Sequence, residues 1–367
     1  MRANLRTWAP VVGWAVGTRA LVLATVALMT WLHWPRGYFA HTLIRHPLGP
    51  LGGWDGIWYR TVAGRGYLLI PGRQSDPAFF PLLPMLLRGL HAVGLPYLGG
   101  GLLVSNLAFV VAVVAFYELG RTLLPEDVAR RAAILVAVFP IGFVFSMLYP
   151  ESIVFAAIAV SLATAVRGRW TLAAVAGAIA GLGRPEALLL AIPLAALAFQ
   201  QWRLLTPRAR AEAVGATLAP AATAASFPLY LSWSLHNLHA WTWAQRSWDR
   251  SFKLDGVYRA FVDLGSSWHH NGWLARDVVF VAVYLVLLAL ARRTGVGWAW
   301  IVAGALIVLL PLTSGSFESE ARLGLLALPA YWGLAAATRR RAVLVGVVAL
   351  SLVLLVAGTL TLPLTYP

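Results

Sequence analysis

The sequence predicts an all-α polytopic membrane protein, a single integral membrane domain over residues 1–367. The first observation is composition: 60% of the residues are hydrophobic and 12% charged, about half the charged share of a soluble globular chain. The second is a mean hydropathy of +0.74, carried by apolar stretches long enough for helices. The third is that short basic connections alternate with long aromatic ones. A soluble enzyme, a disordered chain and a fibrous repeat are thereby excluded. The absence of cysteine excludes disulfides, thiolate metal sites and cysteine nucleophiles.

The first element follows Arg2 and Arg6 and stays apolar to about Leu32. It is too long for a signal peptide and ends at Trp31 and Trp34 without a small-residue cleavage site, so an uncleaved first helix is expected. Further apolar stretches lie near 99–118, 132–148, 151–166, 170–183, 186–200, 213–234, 278–291, 296–313, 323–338 and 342–362. These give about 11 membrane spans. Several are short for a straight crossing and read as kinked, tilted or partly crossing helices. Between them, 76–91 contains three prolines in an apolar run ending at Arg88 and His91. It reads as a helix lying on the membrane surface, which either guides a lipid tail or shields the underside of its loop.

Charge fixes the expected orientation. Arg2, Arg6, Arg121, Arg130, Arg131, Arg167, Arg169, Arg203, Arg208, Arg210, Arg292, Arg293 and Arg339 to Arg341 all fall in alternate short connections. Only Glu118, Glu126, Asp127 and Glu212 share that side, which the positive-inside rule makes cytoplasmic. The formal charge of +15 is therefore explained by topology, and no basic-aromatic module for nucleic acid is present. Lys253 is the only lysine among 29 basic residues, a bias that fits a GC-rich bacterial genome and a plasma-membrane location.

The chemistry is expected on the outer face. Two outer connections, about 33–98 and 236–277, are too long for links and too aromatic for disorder, and are read as a cap over an active site. Trp54, Trp58, Trp241, Trp243, Trp248, Trp268 and Trp273 cluster there, either as an interfacial belt or as a sugar- or lipid-binding surface. Asp55 sits between Trp54 and Gly56 just after the first span. Desolvation beside bulky aromatics favours its protonated form, which suits a general base; the competing role is the N-cap of a short helix through Trp58 and Tyr59. Glu151, Arg184, Glu186 and Arg322 sit close to outer helix ends. Arg184 either pairs with Glu186 or Glu151 or reaches to the interface, and Arg322 is either an ordinary rim residue or, with Arg184, converges on a lipid phosphate, which a guanidinium fork matches. His269 with His270, and His236 with His239, have no diagnostic metal spacing and read as solvated. No metal site is assigned; no cofactor is required, and a divalent cation is possible without being indicated.

In order along the chain, several motifs resemble those of the PIG-V-like mannosyltransferases, relatives of GPI mannosyltransferase 2 in the GT-C class of polytopic glycosyltransferases. They are Trp54-Asp55-Gly56-Ile57-Trp58-Tyr59, Ala78 to Pro84, Tyr149-Pro150-Glu151-Ser152, Arg184-Pro185-Glu186-Ala187, Trp241 to Gln245 with Trp248, and Ser319 to Arg322 followed by Leu328-Pro329. Ala187 stands where the family often has Gly, and Ala321 and Leu323 replace its usual Pro and aromatic. The resemblance implies a GT-C fold and a polyprenyl- or dolichyl-phosphate mannose donor. It implies transfer on the non-cytoplasmic face to a glycolipid, glycan or protein hydroxyl, with inversion at the sugar carbon. It places the catalytic acid at Asp55. Arg184 and Arg322 are then the phosphate clamps, since a polyprenyl phosphate leaves readily and needs positive charge rather than a strong acid. Trp54, Trp58, Tyr59, Glu151, Glu186, Gln245 and Trp248 bind substrate or orient the loops.

A transporter or lipid flippase of the same hydropathy is the rival class. It calls for polar residues at mid-membrane in paired broken helices, whereas here they gather on one face. A third reading is a non-catalytic scaffold of the cell envelope.

Overall fold

A computed structural model describes residues 2–34, 46–267, 272–362 and 364. Among these residues the chain is helical and contains no strand. Its α-helices are α1 (Arg2–Trp31), α2 (Asp55–Arg65), α3 (Leu82–Ala92), α4 (Tyr97–Leu123), α5 (Glu126–Ala137), α6 (Glu151–Ala165), α7 (Trp170–Gly183) and α8 (Ala191–Gln201). They continue as α9 (Pro207–Ser234), α10 (Ala240–Ser247), α11 (Gly256–Ser267), α12 (Gly272–Ala291), α13 (Trp298–Leu309), α14 (Glu320–Leu323), α15 (Leu328–Ala337) and α16 (Arg341–Thr361). The length and apolar character of several helices make this a multi-pass integral membrane protein.

Among the described residues, five segments are long and apolar enough to cross a bilayer: Thr7–Trp31, Tyr97–Leu123, Pro207–Ser234, Leu274–Thr294 and Arg341–Thr361. Glu151–Ala165, Trp170–Gly183, Pro185–Gln201 and Trp298–Ser314 are apolar but shorter. A helix such as α6, with 15 residues, rises only about 22 Å against about 30 Å of hydrocarbon. The stretches expected at 132–148 and 323–338 are interrupted. In the first, α5 stops at Ala137, ahead of Pro140, which lacks an amide proton and crowds the preceding turn. A short 3-10 turn, Gly142–Ser146, follows before α6. In the second, α14 gives way to a 3-10 turn, Gly324–Leu326, and then to α15 with Pro329 in its first turn.

Small residues let these helices approach closely. At Gly181 in α7 a side chain would collide with the Pro220 carbonyl and the Thr223 hydroxyl of α9, and Gly333 of α15 lies against the Leu287 carbonyl of α12. An aromatic core fills the centre: Phe116 stacks on Trp332 at 5.6 Å, and Phe155, Tyr331, Phe139 and Tyr284 continue the cluster. Arg19 of α1 is buried and donates to the Gly142 carbonyl at 2.6 Å and the Ser146 hydroxyl at 3.2 Å, with its guanidinium 4.2 Å from the centre of the Phe109 ring.

The helix breaks converge. The Pro185–Leu190 turn, the Pro311–Ser314 turn and residues 319–323 meet the first outer connection around one cavity.

Candidate active site

Each break leaves a polar side chain beside backbone that its own helix no longer occupies. The cavity so formed measures about 290 Å³ and is lined by Asp55, Tyr59, Arg184, Glu186, Gln245 and Arg322, among others. Asp55 is the first residue of α2 and Trp54 holds the N-cap position, so the N-cap role is not the one Asp55 takes. Trp54 precedes it with φ at 52°, a conformation uncommon for a bulky residue, and so turns the chain into α2. The Trp54 indole N–H donates to the Leu362 carbonyl at 2.9 Å, tying this turn to the end of α16.

Asp55 is not an isolated acid. The Arg322 guanidinium donates to its carboxylate at 2.7 Å, and both groups are buried. Arg322 also lies 3.5 Å from the Glu151 carboxylate and 4.9 Å from the centre of the Tyr149 ring. The Tyr149 hydroxyl in turn accepts the Asp55 amide proton at 3.2 Å. Arg184 donates to the same Glu151 oxygen that faces Arg322, and to Glu186 at 3.1 Å. The result is an alternating chain of charge, Asp55–Arg322–Glu151–Arg184–Glu186, whose formal sum is one negative charge. Each carboxylate offers more acceptor positions, and each guanidinium more donors, than a single pair consumes.

The two outer connections meet on one wall. Trp58 stacks on Phe79 with ring centres 5.7 Å apart, and Trp248 packs edge-on to both at 5.3 Å. The Trp248 indole donates to the Ser75 carbonyl at 3.1 Å, and the Gln245 amide to the Ala78 carbonyl at 3.3 Å. Asp76 beneath them accepts the Leu68 amide at 2.6 Å and Arg65 at 3.4 Å. Burial pushes its carboxyl up, against the lowering effect of those two donors. Burial first, and then the Asp55 and Glu151 charges, push the Tyr59 phenol up, so it faces the cavity as a neutral hydroxyl.

The structure thus brings Asp55, Tyr59, Arg184, Glu186, Gln245 and Arg322 to one cavity, with Glu151 buried behind the two arginines. Trp58 and Trp248 support the wall, while the Trp54 indole is anchored on the Leu362 carbonyl. His236 and His239 are exposed, and His239 stacks on Trp243; His269, His270 and Trp268 lie outside the described residues. Among the described residues no group of three or more His, Asp or Glu is arranged to hold a metal ion.

Residues that the sequence did not single out also contribute. Arg250, Ser251 and Glu318 line the rim, and the Lys253 amide donates to the Thr313 carbonyl at 2.9 Å, fastening the second outer connection across the Pro311–Ser314 turn. Asp277 of α12 is fully buried; its carboxylate accepts the amide protons of Ser319 at 3.0 Å and Ala321 at 3.1 Å and pairs with Arg276 at 3.3 Å. An acid opening the apolar run Val278-Val279-Phe280 was the available signal, because a charge at such a depth needs a partner or a task. Glu320 is fully buried, and neither of its carboxyl oxygens has a hydrogen-bond partner. Burial, then the neighbouring Asp277 and Glu186 charges, push its carboxyl well above the usual range and favour its neutral form.

The chain matches no protein-family model, and comparison with curated proteins gives no match.

Proposed function

We propose that the protein is an inverting GT-C-type glycosyltransferase that moves a sugar, in the first instance mannose, from a polyprenyl-phosphate-linked donor to a hydroxyl acceptor. The observation that carries this reading is the cavity in which a buried carboxylate, Asp55, and two arginines, Arg184 and Arg322, face one space between aromatic walls, at the ends of apolar helices. The ordered motifs from Trp54 to Arg322, similar to those of PIG-V-like mannosyltransferases, support the choice of donor.

In this reading Asp55 takes the proton of the acceptor hydroxyl as its oxygen bonds to the anomeric carbon. The bond from that carbon to the phosphate oxygen breaks on the opposite face, and the polyprenyl phosphate leaves with the electron pair. Arg184 and Arg322 compensate the charge that develops on the leaving phosphate. Tyr59, Gln245 and the Trp58–Phe79–Trp248 wall orient the sugar. The cavity faces outward, away from the arginine-rich connections, with the N-terminal end of α1 in the cytoplasm of a bacterial cell. The shorter apolar helices and the interrupted segments complete about 11 passages of the chain.

The test is transfer of labelled mannose from mannosyl polyprenyl phosphate in membranes or nanodiscs. Asp55→Asn should lower turnover by about 10²–10⁴-fold, and undiminished turnover by folded variant would remove Asp55 from the reaction. Movement of the lipid across proteoliposomes with no covalent product would establish the flippase class instead.

A further inference from the structure

The strap Ser319–Leu323 delivers Arg322 to Asp55, yet it is a single helical turn between two bends and does little to fix its own place. Ser319 has a left-handed φ of 69°, and α14 spans only Glu320–Leu323. One face of α12 supplies what the strap lacks. Asp277 holds its amides at Ser319 and Ala321, and two helical turns further along the Tyr284 hydroxyl donates to the Ala321 carbonyl at 2.8 Å. Gly324 then lies directly against the Tyr284 ring, where no side chain would fit. Asp277 brings a carboxylate to these contacts, and it grips both ends of the bend from which Arg322 projects. Hydrogen bonds to a charged acceptor are shorter and stronger than neutral ones.

We propose that Asp277 is the positioning residue of this site: by clamping the Ser319 and Ala321 amides it sets the Arg322 guanidinium against Asp55 and Glu151. The proposal rests on the reading of the cavity as a transferase site. Asp277 does not line the cavity and acts through the strap that carries Arg322. A misplacement of about 1 Å at a catalytic group costs on the order of 10²-fold in rate, the loss expected of Asp277→Asn. That variant keeps the side-chain volume and one acceptor oxygen, so the fold is retained; Asp277→Ala removes both acceptors.

The experiment uses the full chain in nanodiscs and has two arms. In the first, mannose transfer is measured for Asp277→Asn in the native background and in an Arg322→Lys background. Loss of roughly 10²-fold in kcat in the former, shrinking to less than about threefold in the latter, supports the proposal. Equal losses in both backgrounds, as a merely structural residue gives, would overturn it. The second arm needs no activity: amide hydrogen exchange is followed over residues 316–326. Faster exchange at Ser319–Leu323 in Asp277→Asn and Asp277→Ala, with α4 and α6 unchanged, is the expected result. Unchanged exchange at the strap overturns the proposal. If the wild-type protein transfers no sugar from any lipid-phosphate donor, it is the transferase reading that fails, and the exchange arm alone then decides whether Asp277 holds the strap.

Discussion

Arg322 sits between Asp55 at 2.7 Å and Glu151 at 3.5 Å with 2% of its surface exposed. A guanidinium serves two carboxylates at once because its donors form a planar fork; an ammonium is a single point charge on a flexible stem. Arg322→Lys therefore keeps the charge and loses the geometry. Its expected cost is one charge-assisted hydrogen bond, a fall of roughly tenfold or more in transfer rate with little change in expression. An activity equal to wild type would show that charge alone suffices at this position. Glu151 carries the opposite risk. It is fully buried beneath Arg184 and Arg322, so Glu151→Ala leaves two desolvated cations facing each other. A destabilisation of about 3–5 kcal/mol is expected, measured as a lowered melting temperature in detergent. The acid, the arginines and their surrounding aromatics were readable in the sequence because such groups are rare in an apolar chain. Their pairing was not: Asp55 and Arg322 are 267 positions apart, and no periodicity links them. Asp277 escaped notice for a related reason, since its role depends on which backbone amides face it, and these belong to a strap more than forty positions away.

At the scale of the element, hydropathy located most helices closely. The stretch expected at 170–183 coincides with α7, that at 151–166 differs from α6 by one residue at one end, and that at 342–362 from α16 by one residue at each end. It failed where apolar composition runs through a break, as between Ala137 and Ser146, because an average over residues does not register a proline's missing donor. The breaks at Pro185–Leu190 and Pro311–Ser314, by contrast, line the cavity. Helix contact depends equally on missing side chains. Gly181 meets α9 backbone, which cannot move aside as a flexible side chain would. Gly181→Val should cost about 1–3 kcal/mol by overpacking. Gly13→Leu, at a position of α1 with nothing within 4 Å, should change stability by less than about 0.5 kcal/mol. Thermal melts of the two purified variants make the comparison, and equal shifts would contradict the packing described for α7 and α9.

For the molecule as a whole, the raised proton affinity of the buried Glu320 makes stability depend on pH. Its folded-state affinity for a proton is raised above the ordinary value of 4.5. Below that value folded and unfolded chains are both protonated, and the group carries no penalty. As pH rises, the unfolded chain ionises while the folded one resists, so stability is lost progressively until the folded carboxyl itself titrates. Glu320→Gln abolishes this dependence. Its melting temperature should match wild type near about pH 4 and exceed it by a widening margin toward about pH 8; a margin independent of pH would mean that Glu320 is ionised in the fold. Topology is testable on the same whole-molecule scale, since a chain without cysteine can be probed one engineered thiol at a time. His239→Cys should react with an impermeant reagent from outside intact cells, and Arg203→Cys only after lysis.

Arg19 bears on how the protein is made. The groups that receive it, the Gly142 carbonyl and the Ser146 hydroxyl, are translated 123 and 127 positions later. Until then a nascent chain holds a cation amid lipid with nothing to satisfy it, at a cost of about 2.5–3.5 kcal/mol on insertion scales. The first segment therefore gains these partners only once residues 142–146 have been made, more than a third of the chain later.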